Sequence, residues 1–473
     1  MKASVPLVPL LATALLGATA RAQSALDVLV DGGRVRGAAT DGVVSFKGIP
    51  FAAPPLGALR WRPPQRVPRW SGVRAATAYG HDCMQQPFPS DAAPLGTPPA
   101  EDCLYLNVWR PAGRSAGDAA TRTPAKLPVL VWIYGGGFVN GGASPPTYAG
   151  AELAKNGIMF VSFNYRVGRF GFFVHPQLTR ETPSGEALGN YGFMDQVAAL
   201  EWVRRNIAAF GGDPANVTVV GESAGGASVH MLLTSPRARG LVQKAVIQSG
   251  ADGRMMLSDV ASAEKAGLAF AAANGIAADD PNALAKLRAL SAEQVTDGLN
   301  MMALFERRAG PATFTTPIVD GRLAVDVIAA YEANRFTRVP VMVGATSADM
   351  GGPEGPMIRG AGRVADLLSS RGVPVYYYRF SYVADSARAQ FKDGAPHASD
   401  IPFFFRTVDA KYGAALTARD RQAAGTASGY LVNFVKRGDP NGAGLPAWPS
   451  YSRARPMLLD LDASGGAAPT PVR

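Results

Sequence analysis

The sequence predicts an α/β fold in which a mostly parallel sheet is covered by helices. From about residue 126 onward, short continuous apolar runs such as residues 129–134 are typical of strands buried on both faces. These runs alternate with stretches of helical spacing. Residues 195–210, for example, carry apolar side chains at positions 197, 200, 203 and 207. Alternation of strands and helices along one chain favours a parallel sheet.

The predicted strands follow one another along the chain, at residues 129–134, 159–165, 217–220, 245–247, 339–343 and 375–380. Residues 24–125 are rich in Gly and Pro, and alternating stretches such as residues 43–46 indicate an antiparallel edge. Residues 255–310 are Ala-rich, with methionine pairs at 255–256 and 301–302, and predict a helical insertion after the fourth strand.

The chain has enough apolar material for a large core. It contains 473 residues, of which 47% are hydrophobic and 18% charged, and this composition excludes a disordered protein. No flexible linker divides it, so we expect one domain over residues 23–473.

The first residues predict a cleaved signal peptide over residues 1–22. Lys2 precedes an apolar run at residues 5–17, and Ala20-Arg21-Ala22 has the small-x-small pattern of a cleavage site. A run of that length is too short to cross about 30 Å of hydrocarbon. We therefore expect a secreted or periplasmic protein without a membrane span.

The charge pattern and the cysteines argue against nucleic acid and against a metal ion as partners. The formal net charge is +10, but Lys and Arg are scattered with no run longer than two, which favours a basic solvated surface over nucleic-acid binding. The chain has two cysteines, Cys83 and Cys103, and neither CxxC nor HExxH, so no metal site is expected. Export permits a disulfide.

A candidate nucleophile lies in the pattern G-x-S-x-G at residues 221–225, which places Ser223 between a predicted strand and a predicted helix. A serine in a sharp strand-to-helix turn has its Oγ lifted above the sheet, and flanking glycines avoid clashes there. The short pattern alone has little specificity. The strand before it and the helix after it make it a strong signal.

The chain has four histidines, and the candidate base is His397. In folds with this serine turn the chain order is Ser, acid, His, which excludes His81 and His175. His230 lies on the helix that follows Ser223 and is carried away from it. The candidate acid is Asp349, five residues after the strand at 339–343. It would hold the imidazole in the required tautomer.

Two rivals for the acid remain open on local pattern, Asp320 in a D-G turn and Glu354 in a Gly/Pro loop.

An oxyanion hole needs backbone N–H groups without side-chain obstruction. Gly135-Gly136-Gly137 follows the first buried strand, and with the N–H of Ala224 it supplies such donors. The alternative is a tight turn or a phosphate loop. The segment lacks both G-K-[ST] and G-x-G-x-x-G, which argues against nucleotide binding.

At this point the chain resembles the type-B carboxylesterase/lipase family of α/β-hydrolases, which includes the cholinesterases. The resemblance covers residues 25–452 and rests on several motifs, at residues 48–52, 59–61, 101–107, 164–168, 189–192, 210–214, 433–434, 438–441 and 448–449.

The resemblance implies an α/β-hydrolase fold and a serine carboxylesterase with no cofactor. It further implies catalytic Ser223, Asp349 and His397, and an oxyanion hole of Gly136, Gly137 and Ala224. Glu222 would be a supporting carboxylate, and Cys83 would pair with Cys103.

The chain departs from the family's pattern in three places. The acid is Asp349 where the family more often has Glu, so its strand must end closer to His397. His397 follows Asp349 by only 48 positions, which is shorter than in most relatives and predicts a more open cleft. The loop from Cys83 to Cys103 lacks the tryptophan with which cholinesterases bind quaternary ammonium, so choline esters are not expected substrates.

The expected partner is a small-molecule ester, with no oligomeric state predicted. Alternatives are a specialised esterase for a bulky phenolic or toxin ester, a lipase, and a non-catalytic binding protein on this fold. Phe170, Phe172, Phe173 and residues 403–405 are candidates for pocket lining, with ordinary core packing as the alternative.

Overall fold

A computed structural model of the chain describes residues 26–88, 91–113, 126–183, 185–254, 257–306 and 310–472. The predicted signal peptide and the methionine pair at 255–256 lie outside the described residues.

An eleven-stranded sheet forms the centre of the described part of the protein, and a three-stranded sheet lies beside it. The strands in chain order are β1 Asp27–Val30, β2 Gly33–Arg36, β3 Ala38–Thr40, β4 Val43–Pro50, β5 Val73–Ala75, β6 Tyr105–Pro111, β7 Leu127–Ile133, β8 Met159–Phe163, β9 Gly212–Glu222, β10 Lys244–Gln248, β11 Val341–Thr346, β12 Val375–Phe380, β13 Met457–Leu461 and β14 Ala468–Pro471.

The large sheet has the order β14-β13-β12-β11-β10-β9-β7-β8-β6-β4-β3, and the small one β1-β2-β5. Every pairing from β8 through β7, β9, β10, β11 and β12 to β13 is parallel. The pairings at both margins are antiparallel. The fold is therefore the predicted α/β-hydrolase fold, with a parallel centre, the predicted antiparallel edge at the N-terminal side, and a further antiparallel pair, β13 and β14, at the other margin.

Helices connect the strands and pack on the sheet. In chain order they are α1 Ala151–Lys155, α2 Gly168–Gly171, α3 Pro176–Glu181, α4 Tyr191–Asn206, α5 Ala224–Thr234, α6 Val260–Ala273, α7 Ala283–Ala289, α8 Ala292–Thr296, α9 Met301–Phe305, α10 Val327–Glu332, α11 Pro356–Ser370, α12 Ile401–Phe405, α13 Val408–Tyr412 and α14 Ala418–Arg437. Helix α5 packs on β9 and β10, and α11 on β11 and β12. No helix within the described ranges is long and apolar enough to cross a membrane.

The predicted elements agree with the structure in type and differ at their ends. The strand predicted at 217–220 extends over Gly212–Glu222, and the strand predicted at 375–380 has those bounds. The helix predicted at 195–210 begins earlier, at Tyr191, and closes with a 3-10 turn over Ile207–Phe210. The predicted helical insertion contains α6, α7, α8 and α9, between β10 and β11.

The parallel centre of the sheet positions the candidate site. Strands β7, β8, β9, β10 and β11 are buried almost throughout, which explains their uninterrupted apolar sequences. The carboxyl ends of parallel strands meet at one edge of a sheet. The segments after β7, β9 and β11 therefore open toward the same side, and they carry Gly135–Gly137, Ser223 and Asp349.

Candidate active site

Ser223 occupies a strained turn between β9 and α5. Its backbone has φ 56° and ψ −119°, a conformation that side-chain-bearing residues rarely adopt. A Cβ added at Gly221 would lie 2.2 Å from the carbonyl oxygen of Gly225, and one added at Gly225 would lie 2.0 Å from the carbonyl oxygen of Ile133. The two glycines of the pattern are thus required by close backbone approach.

His397 and Asp349 are hydrogen-bonded, with 2.6 Å between Nδ1 of the imidazole and Oδ1 of the carboxylate. Asp349 follows β11 and is buried, and it accepts further hydrogen bonds from the hydroxyls of Ser249 at 2.6 Å and Thr346 at 2.9 Å. Burial opposes the charge of this carboxyl, but the hydrogen bonds from His397 and Ser249 outweigh it and hold its pKa below the ordinary value. Asp349 is therefore fixed as an ionised partner of the imidazole.

The other ring nitrogen of His397 faces Glu222. Nε2 lies 3.2 Å from Oε1 of Glu222, an oxygen that is buried and accepts no aligned hydrogen bond from the described residues. Burial raises the pKa of Glu222 to about 8, and the positive charge of His397 opposes that rise. Burial opposes the charge of His397, but the carboxylates of Glu222 and Asp349 outweigh it and raise its pKa to about 9.

A third carboxyl, Asp400, is buried close to this pair, and the sequence reasoning did not identify it. Its Oδ2 accepts hydrogen bonds from the amide of Gln248 at 3.1 Å and the hydroxyl of Tyr378 at 3.3 Å. Burial, together with the charge of Asp349, raises its pKa to about 6. Ser249 was missed as well. Their places along the chain were the available signal for these residues, because Gln248 is the last residue of β10 and Asp400 lies three residues after His397.

The candidate oxyanion loop follows β7. Gly136 and Gly137 have φ of 94° and 61°, and the carbonyl of Gly136 accepts hydrogen bonds from the N–H groups of Val139 and Asn140. Within the described residues, the N–H groups of Gly136 and Gly137 donate to no partner. Ala224 begins α5, so its N–H has no acceptor within the helix. These three amides are free to bind an oxygen carried by a ligand.

A cavity of about 510 Å³ contains Ser223, His397 and Glu222 in its lining, together with Gly135 and Gly136. The remainder of the wall is mainly apolar and comes from five regions: the segment after Cys83, the chain around Tyr148, the insertion, the chain from Tyr382 to Pro402, and the chain around Tyr412. Its larger side chains are Phe88, Tyr148, Met301, Tyr382, Phe391 and Tyr412. A mainly apolar cavity with a few convergent polar groups suits a small organic molecule.

The other candidates lie elsewhere. His230 is buried with Nδ1 2.8 Å from the Tyr331 hydroxyl. Asp320 closes a turn by accepting hydrogen bonds from three following amides, and Glu354 is exposed beside Arg359. Neither rival acid lies among the residues that line the cavity.

The phenylalanines considered as candidates for pocket lining are core residues. Phe170, Phe172, Phe173 and the three at 403–405 are buried, and none of them lines the cavity. Within the described residues, no cluster of His, Cys, Asp and Glu is arranged to hold a metal ion.

Cys83 and Cys103 form a disulfide that closes a segment beside the cavity. This segment contributes Phe88, Asp91, Ala92 and Ala93 to the cavity wall. The disulfide therefore anchors part of the site as well as the fold.

Comparison with known proteins agrees with this geometry. The sequence profile of the carboxylesterase family matches residues 24–354 and 356–470. The chain is 34% identical to para-nitrobenzyl esterase of Bacillus subtilis (strain 168), over 91% of this chain and 93% of that protein. It is 39% identical to fumonisin B1 esterase of Sphingopyxis macrogoltabida, over 72% of this chain but only 60% of that protein.

A solved structure of a PNB esterase is similar to this fold with a TM-score of 0.80 at 30% identity. The similarity covers 94% of this chain and 97% of that one.

Proposed function

Because the chain belongs to the carboxylesterase family and is a carboxylic ester hydrolase, we propose that it works as a secreted serine esterase that forms an acyl-enzyme on Ser223. The observation that carries the proposal is the hydrogen bond of 2.6 Å between Asp349 and His397, whose imidazole lines the same cavity as Ser223. A nucleophile, a base and a group that orients the base are the parts that acyl transfer needs.

In the proposed first step, Oγ of Ser223 attacks the ester carbonyl carbon while Nε2 of His397 takes the hydroxyl proton. The carbonyl oxygen becomes negative and is bound by the N–H groups of Gly136, Gly137 and Ala224. The intermediate then collapses, the bond to the alcohol oxygen breaks, and His397 delivers the proton to that oxygen.

In the second step, water attacks the acyl-enzyme with His397 again as base. The acid leaves, and the proton returns to Ser223. Asp349 holds the ring throughout and stabilises its positive charge, because its carboxylate is buried, ionised and hydrogen-bonded to Nδ1.

The proposed substrates are small-molecule carboxylic esters with an apolar acyl or alcohol part, since most of the cavity wall is apolar. A second candidate is a specialised esterase for a bulky natural ester. It is favoured by the 39% identity to a protein named as a fumonisin B1 esterase.

The test is hydrolysis of p-nitrophenyl esters from acetate to palmitate by the purified chain and by Ser223→Ala. We expect turnover of the shorter esters and its loss in the variant, with the melting temperature retained. Ser370→Ala, at an exposed serine at the end of α11, is the matched control and should stay fully active. Turnover that survives in Ser223→Ala would contradict the nucleophile, and a folded protein that hydrolyses no ester of the series would leave the bulky-ester candidate.

Secretion is supported by the N-terminal pattern and by the disulfide, which is typical of oxidising compartments. Mass spectrometry of the exported protein should find a chain beginning at Gln23. An intact N-terminus on protein recovered from the cytoplasm would overturn this part.

A further inference from the structure

The short helix α9 of the insertion lies directly against the candidate oxyanion loop. A Cβ added at Gly137 would lie 2.5 Å from Sδ of Met301 and 3.2 Å from Cδ1 of Leu304. Met301 also lines the cavity that contains Ser223. Its thioether is therefore a wall of the site next to the atoms that would hold the carbonyl oxygen.

A buried amide, Asn140, fixes the position of this wall. Its Oδ1 accepts a hydrogen bond of 2.7 Å from the N–H of Met301. Its Nδ2 donates to Oε1 of Gln85 at 3.1 Å and to the carbonyl of Gln86 at 2.9 Å. Asn140 is 1% exposed and Gln85 4%, so both amides hold these bonds away from solvent.

Asn140 therefore connects three separate parts of the chain. Its backbone belongs to the oxyanion loop, where its N–H bonds to the carbonyl of Gly136. Gln85 belongs to the segment closed by the disulfide, and it is itself bonded to Gly141 through both its side-chain atoms. Met301 belongs to the insertion. A shift of this one amide would move Met301 relative to Gly137.

The proposed reaction indicates which part of a bound ester faces Met301. His397 must deliver a proton to the departing alcohol, so the alcohol lies on the side of His397. The acyl chain is bonded to the same carbonyl carbon and extends away from that side. Met301 lines the cavity against Gly137 and comes from a different part of the wall than the chain around His397, so we place the acyl chain beside it.

We propose that Asn140 is a positioning residue that sets acyl-chain selectivity by holding Met301 against the oxyanion loop, an inference that rests on the proposed serine-esterase function. With Met301 in place, short acyl groups fit beside Gly137 and longer ones meet the thioether. Removing the side chain of Met301, or releasing it from Asn140, makes room for longer acyl groups.

The experiment compares kcat/KM for p-nitrophenyl octanoate with kcat/KM for the acetate. Each additional buried methylene is worth roughly a factor of four. Room for two of them should therefore raise the octanoate-to-acetate ratio about fifteenfold in Met301→Ala. Asn140→Ala should raise the ratio in the same direction. The double variant should not exceed Met301→Ala, because both changes act through one side chain.

Two further variants separate this role from a merely structural one. Met302→Ala removes the neighbouring side chain, which is 51% exposed, and should leave the ratio unchanged. Asn140→Asp keeps the oxygen that accepts the Met301 N–H but loses the hydrogen bonds to Gln85 and Gln86, so it should raise the ratio in the same direction as Asn140→Ala.

The proposal is overturned if Met301→Ala hydrolyses both esters with the wild-type ratio, or if Asn140→Ala lowers both rates by one factor. Neither result touches the proposed function, which fails only if the wild-type chain has no Ser223-dependent turnover.

Discussion

Nε2 of His397 lies 3.2 Å from Oε1 of Glu222, the residue directly before Ser223. The imidazole is therefore approached by a carboxylate at each nitrogen, because Nδ1 is bonded to Asp349 at 2.6 Å. Two carboxylates favour the protonated ring, whereas a general base must be neutral. The pH at which His397 becomes a neutral base therefore depends on both carboxyl groups.

The first prediction is that kcat/KM falls as the pH drops below the raised pKa of His397, about 9, because protonation removes the base. Glu222→Gln removes one of the charges that raise this pKa. The acid limb should therefore move to lower pH, by roughly 1 to 3 units. The measurement is kcat/KM for a p-nitrophenyl ester between about pH 5 and about pH 10.

The control for this profile is Glu354→Gln, which changes an exposed carboxylate that does not line the cavity. An acid limb at the same pH in Glu222→Gln and in the wild type would show that Glu222 does not act on the base.

The second prediction concerns Asp349. In Asp349→Asn the amide NH2 group can only donate to Nδ1, which favours the wrong tautomer, and the neutral amide cannot stabilise the imidazolium, so kcat should fall by roughly four orders of magnitude. Asp349→Glu keeps the charge but is one methylene too long for a hydrogen bond of 2.6 Å, and we expect a smaller loss. Steady-state kinetics at saturating ester measure both. An Asn variant with nearly full kcat would assign the acid elsewhere.

The sequence predicted the parts of the site that depend on local chemistry. Ser223 could be predicted as the nucleophile because its turn needs glycines at 221 and 225, and both positions leave no space for a Cβ. His397 could be predicted as the base by elimination, since the chain has only four histidines. The fold followed from the buried strands, whose apolar runs are visible without any knowledge of their neighbours.

The remainder of the site depends on contacts between distant segments. Asp400 and Gln248 are 152 positions apart, and Asn140 and Met301 are 161 positions apart. No local pattern marks such pairs. The phenylalanines near Phe172 and Phe404 show that a visible local pattern can also leave the role of a residue open. An aromatic run next to a site motif is equally consistent with core packing.

The third prediction concerns a buried ion pair. Arg166 donates two hydrogen bonds of 2.8 Å to the carboxylate of Asp195, and both residues are buried. Removing one partner leaves an uncompensated charge in the core. Asp195→Ala should therefore lower the free energy of unfolding by about 3 to 5 kcal/mol in urea titration.

The surface pair of Arg205 and Asp31 serves as the comparison, since both side chains are more than two-fifths exposed. Asp31→Ala should cost about 1 kcal/mol or less. Equal losses at the two sites would contradict the assigned difference in burial.

The fourth prediction concerns the disulfide. Cys83 and Cys103 are 20 positions apart, and a cross-link closing such a loop stabilises a protein by about 3 kcal/mol in the chain-entropy model. The double variant Cys83→Ala, Cys103→Ala should lose about that much unfolding free energy.

The closed segment also places Phe88 in the cavity wall and Gln85 against Asn140. The double variant should therefore show a raised octanoate-to-acetate ratio as well. Reductant should change the wild type in the same way and leave the double variant unaffected. A destabilised double variant with the wild-type ratio would show that the disulfide acts on the fold alone, and that Gln85 keeps its place without it.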